Sequence, residues 1–279
     1  VHEGPVRDGR FGNLSDAAAV VARCGGCGAD RLDEAHCKDE AFYQGADYRQ
    51  SLGQGADAAS FFKAHDELQL ERLGVLWPAS LRNRRVADVG CAAGSFLDHI
   101  KGLADSILAI EPGRAYHPAL AERGYAVHAF AADALAGHAG QIDWAFSFDV
   151  IEHVGDPRGF LADIAGLLAP GGRLLLSTPN RADALMTAAP AYPAFFYRVH
   201  HRWYFDAQAL AACAARAGLE IERLAYVQRY GQANTEAWIQ RGQPTGHADG
   251  DPVTDAAWKA ELEVRGTADR LYAVLKRTT

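Results

Sequence analysis

The chain has 279 residues, 49% of them hydrophobic, with a formal net charge of −7. It is too apolar for a disordered chain and long enough for one large α/β core with a small appended unit. An acidic balance with no Lys/Arg block argues against double-stranded nucleic acid as a partner, and no apolar run approaches the roughly 20 residues that span a bilayer.

Residues 1–58 carry glycine and charge but little periodicity, so loops and short elements are expected there. No basic-then-apolar leader is expected at this end. Five cysteines, an odd number, suit a reducing cytoplasm better than a disulfide scaffold. Cys24-x-x-Cys27-Gly28 looks like one zinc knuckle, half of the four ligands that a closed zinc site needs. From Ala59 to Leu76, apolar residues at Phe61, Phe62, Leu68, Leu73 and Leu76 predict an amphipathic helix, ended by Trp77-Pro78.

Val86 to Phe96 then reads as a buried strand, a tight glycine turn and a helix start. A glycine turn lets the backbone approach a ligand, and the helix N-terminus behind it offers N–H groups. The turn is Asp88-x-Gly90-x-Ala92-x-Gly94, not the G-x-G-x-x-G of dinucleotide sites. A carboxylate just before the first glycine disfavours a phosphate and suits a cationic ligand. Glu111 ends the next apolar run, where a carboxylate can accept both hydroxyls of a ribose. Alternating apolar runs and helical patterns continue through Trp144 to Phe148 and a helix opened by Asp156-Pro157, up to Leu174–Thr178. They imply βαβ units and a parallel sheet. A glycine-rich loop lies at about 242–252, and the apolar run Leu271 to Leu275 predicts a final strand beside Leu219 to Tyr230.

Over residues 84–230 these motifs resemble the class I S-adenosylmethionine-dependent methyltransferases. The pieces Glu152-His153-Val154 and Leu168-Ala169-Pro170-Gly171-Gly172 are typical of the small-molecule branch, including ubiquinone-type O-methyltransferases. The resemblance implies an α/β, Rossmann-like, seven-stranded mostly parallel sheet in the order 3-2-1-4-5-7-6. Helices would cover both faces, and an irregular N-terminal extension would precede the sheet. It implies S-adenosylmethionine as cofactor, held by Asp88, Gly90, Ala92, Gly94, Phe96, Glu111, Pro112, Asp133, Ala134, Phe148 and Asp149. Asp133, in the loop after the third strand, would meet the adenine, and Phe148 and Asp149 would lie by the sulfonium.

For the acceptor, His153 follows the fourth strand and is placed to take a proton. The segment Ala194 to Asp206 resembles the His-x-x-Tyr-Phe segment of sugar methyltransferases, in which the histidine is the base. That role maps to His201, with His200 beside it. Val199 and His200 stand where sugar C-methyltransferases carry His-Glu, so C-methylation does not carry over. Tyr43, Tyr48, Tyr197, Arg198, Arg202, Tyr204, Arg229, Tyr230 and Asn234 are expected to bind the acceptor.

The expected organisation is an extension over 1–58 and a methyltransferase domain over 59–279, with a substrate-side loop at 181–206 and an insertion at 231–266. The expected function is O-methylation of a sugar or sugar-containing small molecule in the cytoplasm. The alternatives are O-methylation of a phenolic or quinone precursor, N-methylation of an amino sugar, or donor binding without catalysis.

Overall fold

Eleven strands order the described residues. They are β1 (His2–Gly4), β2 (Ala19–Arg23), β3 (Asp30–Leu32), β4 (Arg85–Val89), β5 (Ser106–Ile110) and β6 (Ala126–His128), followed by β7 (Ile142–Phe148), β8 (Leu168–Pro179), β9 (Trp203–Tyr204), β10 (Leu219–Val227) and β11 (Arg270–Arg277). The computed structural model describes the chain except residues 10–12, 46, 52, 54, 56, 77–79, 246–250 and 279. Glu40 and Pro252 are described by backbone alone. The expected Trp77-Pro78 helix stop lies outside the described residues.

One sheet has seven strands in the order β10-β11-β8-β7-β4-β5-β6. Counted within that sheet and read from β6, this is the expected 3-2-1-4-5-7-6. β4 pairs in parallel with β5 and with β7, and β5 with β6. Its central strands are buried nearly throughout: Val86, Ala87, Leu108, Ala109, Ala145 and Phe146 are inaccessible or almost so. Continuous apolar runs suit strands covered on both faces. A second sheet has four strands, in the order β1-β2-β3-β9.

The chain divides into two units. Asp39–Leu176, Cys213–Arg223 and Ala273–Thr279 form the core unit, built around the seven-stranded sheet. Val1–Lys38, Ser177–Ala212 and Leu224–Tyr272 form the second unit. Residues 39–58, grouped by composition with the N-terminal extension, thus belong to the core unit. The segments 181–206 and 231–266, expected as a loop and an insertion, belong to the second unit.

The second unit has a hydrophobic core of its own, in which Val6, Val21 and Leu32 pack with Tyr192, Phe196, Tyr204 and Trp238. Its three segments are tied by buried polar groups. Asn180 Nδ2 donates to the carbonyls of Gly266 (3.0 Å) and Ala268 (2.8 Å). Arg181 donates to the Gly28 carbonyl (2.7 Å) and Asp30 (2.9 Å), and also to Asp206.

The helix expected over 59–76 is two helices, Ala58–His65 and Leu68–Leu76. Asp66 lies at the break and accepts the Ser95 hydroxyl at 2.5 Å, so its side chain serves the start of the helix Ser95–Ile100. The helix Pro157–Leu167 begins as its sequence implies, with Asp156 accepting the Arg158 N–H at 3.0 Å.

Candidate functional site

The glycine turn after β4 and the ends of β5 and β7 meet in the core unit. Gly90 and Gly94 both have φ +81°, and Ala92 between them has φ +48°. The region is disfavoured for a side-chain-bearing residue, and such strain gathers at functional sites. Of the three non-glycine residues with positive φ among those described, Ala92 and Asp149 (φ +60°) belong here. The two glycines also have a packing reason. A Cβ on Gly90 would lie 2.3 Å from Val150 Cγ2, and one on Gly94 would lie 2.7 Å from Leu120 Cδ2. Val150 and Leu120 thus leave no room for a side chain on either glycine.

Glu111 is the hub of the turn. Its Oε2 accepts the Ala92 N–H at 2.7 Å and its Oε1 accepts the Gly113 N–H at 2.6 Å. Burial pushes its carboxyl up, and those two N–H groups pull it down. Each carboxylate oxygen has a second lone pair, so two further hydroxyl donors can still be accepted. Pro112 stands between the two members of that clasp, half-buried.

Asp88, at the end of β4, is 2% exposed, and its Oδ1 has no hydrogen-bond partner among the described residues. Burial pushes its carboxyl up to about 7, while the Arg72 guanidinium opposes the shift and Glu111 adds to it. A buried carboxylate oxygen left without a donor is costly, and a cationic or N–H-bearing ligand would relieve that cost.

Phe96 and Ala134 are core residues. Phe96 is 2% exposed and meets Phe146 and Phe148 edge-on, each at 4.9 Å between centroids. Ala134 is fully buried on the helix Ala131–His138. Asp133 is not in a loop but in the first turn of that helix, exposed, with Oδ2 accepting the Phe130 N–H at 3.1 Å. Its carboxylate therefore caps a helix N-terminus.

Arg72 was not singled out in the sequence. Its guanidinium lies 4.5 Å from the Phe148 ring centroid, and Nη2 donates to Asp149 Oδ2 at 3.4 Å. Its Nε is buried with no hydrogen-bond partner among the described residues. The sequence carries no signal for it, since one arginine on a helix is ordinary and Arg82, Arg84 and Arg85 lie nearer the glycine turn. On the loop after β7, the His153 ring lies 5.2 Å from the Tyr43 ring and 5.6 Å from the Tyr48 ring, with 5.3 Å between the tyrosines. Three residues expected separately at the acceptor form one half-buried ring cluster.

The remaining acceptor candidates lie in the second unit, where most are engaged in its framework. Tyr197 is 3% exposed and donates to Asp30 at 3.0 Å. The Tyr204 hydroxyl accepts the Arg198 N–H at 2.8 Å and reaches the Arg198 and His201 carbonyls, each at 3.0 Å. Arg202 pairs with Glu34 and donates to the Lys38 carbonyl at 3.3 Å. Asn234 accepts the Thr245 N–H at 3.1 Å, and Arg229 is held through its backbone by Asp269 (2.8 Å) and Lys259 (2.9 Å). Tyr230 is 45% exposed.

The two second-unit histidines both have Arg198 as a neighbour. Arg198 Nε donates to His201 Nε2 at 2.8 Å, which occupies that lone pair. Burial, with Arg198 next, pushes His200 down to about 4. Cys24 and Cys27 belong to no cluster of three or more metal-ligating residues among those described. No helix among the described residues is long and apolar enough to cross a membrane.

A family model described as a methyltransferase domain matches residues 62–224. The chain is similar to the ubiquinone biosynthesis O-methyltransferase of Aromatoleum aromaticum, 35% identical over 138 residues, covering 45% of this chain and 57% of the relative. The protein of the same name in Thiobacillus denitrificans is 31% identical over 182 residues, covering 60% and 78%. For the first relatives found, the chain spans less than two thirds of their length. The crystal structure of a SAM-dependent methyltransferase from Archaeoglobus fulgidus superposes with a TM-score of 0.52 at 15% identity, covering 78% of this chain and 96% of that one. At that identity the likeness establishes the fold alone.

Proposed function

This chain belongs to the class I S-adenosylmethionine-dependent methyltransferases, and we propose that it transfers a methyl group to an oxygen of a phenolic or quinone-precursor acceptor. The relatives favour this acceptor over the sugar expected from the 194–206 segment, since those reported above carry the name ubiquinone biosynthesis O-methyltransferase. The carrying observation in the molecule is the cluster of Tyr43, Tyr48 and His153, which gathers two phenol rings around an imidazole at 57° and 66°. Aromatic faces suit a flat ring, and an imidazole suits its hydroxyl proton.

The residues around the glycine turn fit the donor. Bound S-adenosylmethionine supplies an electrophilic methyl group on a sulfonium. Glu111 has spare lone pairs for two ribose hydroxyls while it keeps the turn closed. Asp88 offers a buried oxygen to a cationic ammonium group. Arg72, with a buried N–H to spare, would hold the donor's carboxylate. Phe148 and Asp149 carry the strained end of β7.

His153 accepts the acceptor's hydroxyl proton at an imidazole nitrogen as the carbon–oxygen bond forms. His201 is a weaker candidate because Arg198 already donates to its Nε2. Most of the acceleration would come from in-line positioning, with the base adding about 10²–10⁴-fold.

The test has two arms. Calorimetric titration with S-adenosylhomocysteine should give saturable one-to-one binding. Mass spectrometry after incubation with S-adenosylmethionine and a catechol should detect the methyl ether. Donor binding without methylation of catechols, but with methylation of nucleotide sugars, would restore the sugar reading. No donor binding by folded protein would remove both.

A further inference from the structure

The arginines of the second unit fall into two kinds. Arg181 is 10% exposed and sits between the carboxylates of Asp30 and Asp206. Its neighbours raise its pKa although burial opposes them. Arg7 and Arg198 have no such arrangement. Neither forms an ion pair with a carboxylate among the described residues, though both are half-buried. They are neighbours: Arg7 and Arg198 form a parallel bridge, with the Arg7 N–H donating to the Tyr197 carbonyl and the Val199 N–H to the Arg7 carbonyl, both at 3.0 Å.

The surroundings give these charges little compensation. The Arg7 guanidinium lies 4.1 Å from the Phe195 ring centroid, and its Nε is buried with no hydrogen-bond partner among the described residues. Burial, with Arg198 next, pushes the Arg7 guanidinium down to about 9. Arg198 Nε and Nη2 both donate to His201 Nε2, a ring nitrogen and not a carboxylate. Asp8, which acts on His200, is exposed and forms no ion pair with either arginine. A stacked ring offsets only part of the cost of an uncompensated buried charge. Neighbouring guanidinium groups without carboxylate partners suit an oxyanion as ligand.

We propose that Arg7 and Arg198 form a binding site for the carboxylate or phosphate group of a small molecule. Arg7 lies outside the residues that the family model matches, and the site does not rest on the methyl-transfer reading.

The experiment is calorimetric titration of the full chain at low ionic strength with inorganic phosphate and, separately, with benzoate. At least one should bind saturably at one-to-one stoichiometry. Phosphate alone would identify a phosphate ester as the natural ligand, and benzoate alone a carboxylate. Arg7→Gln and Arg198→Gln should each weaken the binding anion by at least about tenfold, as expected for charge-assisted hydrogen bonds. Titration of Arg7→Gln with S-adenosylhomocysteine should match the unsubstituted chain, which separates this site from the donor site. Thermal melting supplies an arm that needs no ligand. In anion-free buffer, Arg7→Met should melt no lower than the unsubstituted protein, whereas Arg181→Met should melt markedly lower. Failure of both anions to saturate would overturn the proposal. So would undiminished binding by Arg7→Gln, or a large fall in melting temperature for Arg7→Met.

Discussion

The core unit and the second unit are held together in different ways. In the core unit, β4 pairs with β5 and β5 with β6, so strands next to one another in the sheet follow one another along the chain. In the second unit, β3 pairs with β9 across about the whole intervening core chain, Asp30 opposite Tyr204. Short strands of three, five, three and two residues cannot bury much there. Buried side-chain clamps, Asn180 and Arg181, do what ladders of hydrogen bonds do in the core unit. One unit is specified locally by strand and helix patterns, the other by a few long-range polar and aromatic contacts.

The largest expected effect tests whether the second unit depends on its aromatic core. Trp238 is 3% exposed and packs edge-on against Tyr192 at 5.1 Å and tilted against Phe195 at 4.9 Å. Trp238→Ala should cost about 3–5 kcal/mol in denaturant unfolding. Below the melting temperature, binding of S-adenosylhomocysteine should persist. Loss of donor binding at full foldedness would break the assignment of the donor residues to the core unit.

A comparable test sits in the core unit. Asp88 titrates at about 7 in the folded chain against an ordinary 3.8, because it is buried. The folded state therefore holds a proton that the unfolded state has lost between those values. Its contribution is present below about pH 4 and is lost as pH rises towards 7, a change of a few kcal/mol. Asp88→Asn should flatten that fall and melt higher than the parent at pH 8. A cationic donor should reverse the sense for binding, so S-adenosylmethionine should bind more tightly as pH rises through 7. Titrations across pH 5.5–8.5 with no change in affinity would remove Asp88 from the donor's charged end.

Glu111→Ala comes next. It removes acceptors for the Ala92 and Gly113 N–H groups, together with those assigned to the ribose. Donor affinity should fall about tenfold to a hundredfold, the scale of one or two hydrogen bonds to a charged group. Unchanged affinity by calorimetry would reduce Glu111 to a turn clasp.

The difference between the units also governs what could be read from the sequence. The strand order followed from the motifs because each βαβ piece is contiguous, and Glu111 stood out because it ends an apolar run. Asp133 was misplaced by the same reasoning, since a helix begins at Ala131, where a loop was expected. The second unit left no periodic trace. β9 is two residues long, and its partner β3 lies far upstream. Its tyrosines and arginines read as binding residues because those types suit recognition, yet Tyr197 and Tyr204 face inward with their hydroxyls engaged. Arg72 escaped notice because one arginine on a helix says nothing until Phe148 and Asp149 lie beneath it.

The smallest expected effect separates clamp from recognition in the second unit. Arg202 is 13% exposed and pairs with Glu34, which is 63% exposed. Solvent screens such a pair, so Glu34→Gln should cost under about 1 kcal/mol. If Arg202 is only a clamp, its donation to the Lys38 carbonyl holds it in place and turnover of a phenolic acceptor should not move. If Arg202 instead grips the acceptor, removing Glu34 frees the guanidinium and lowers KM for an anionic acceptor with kcat unchanged. A steady-state comparison of catechol with a carboxylated catechol decides between the two, and a shift confined to the carboxylated compound would return Arg202 to the acceptor site.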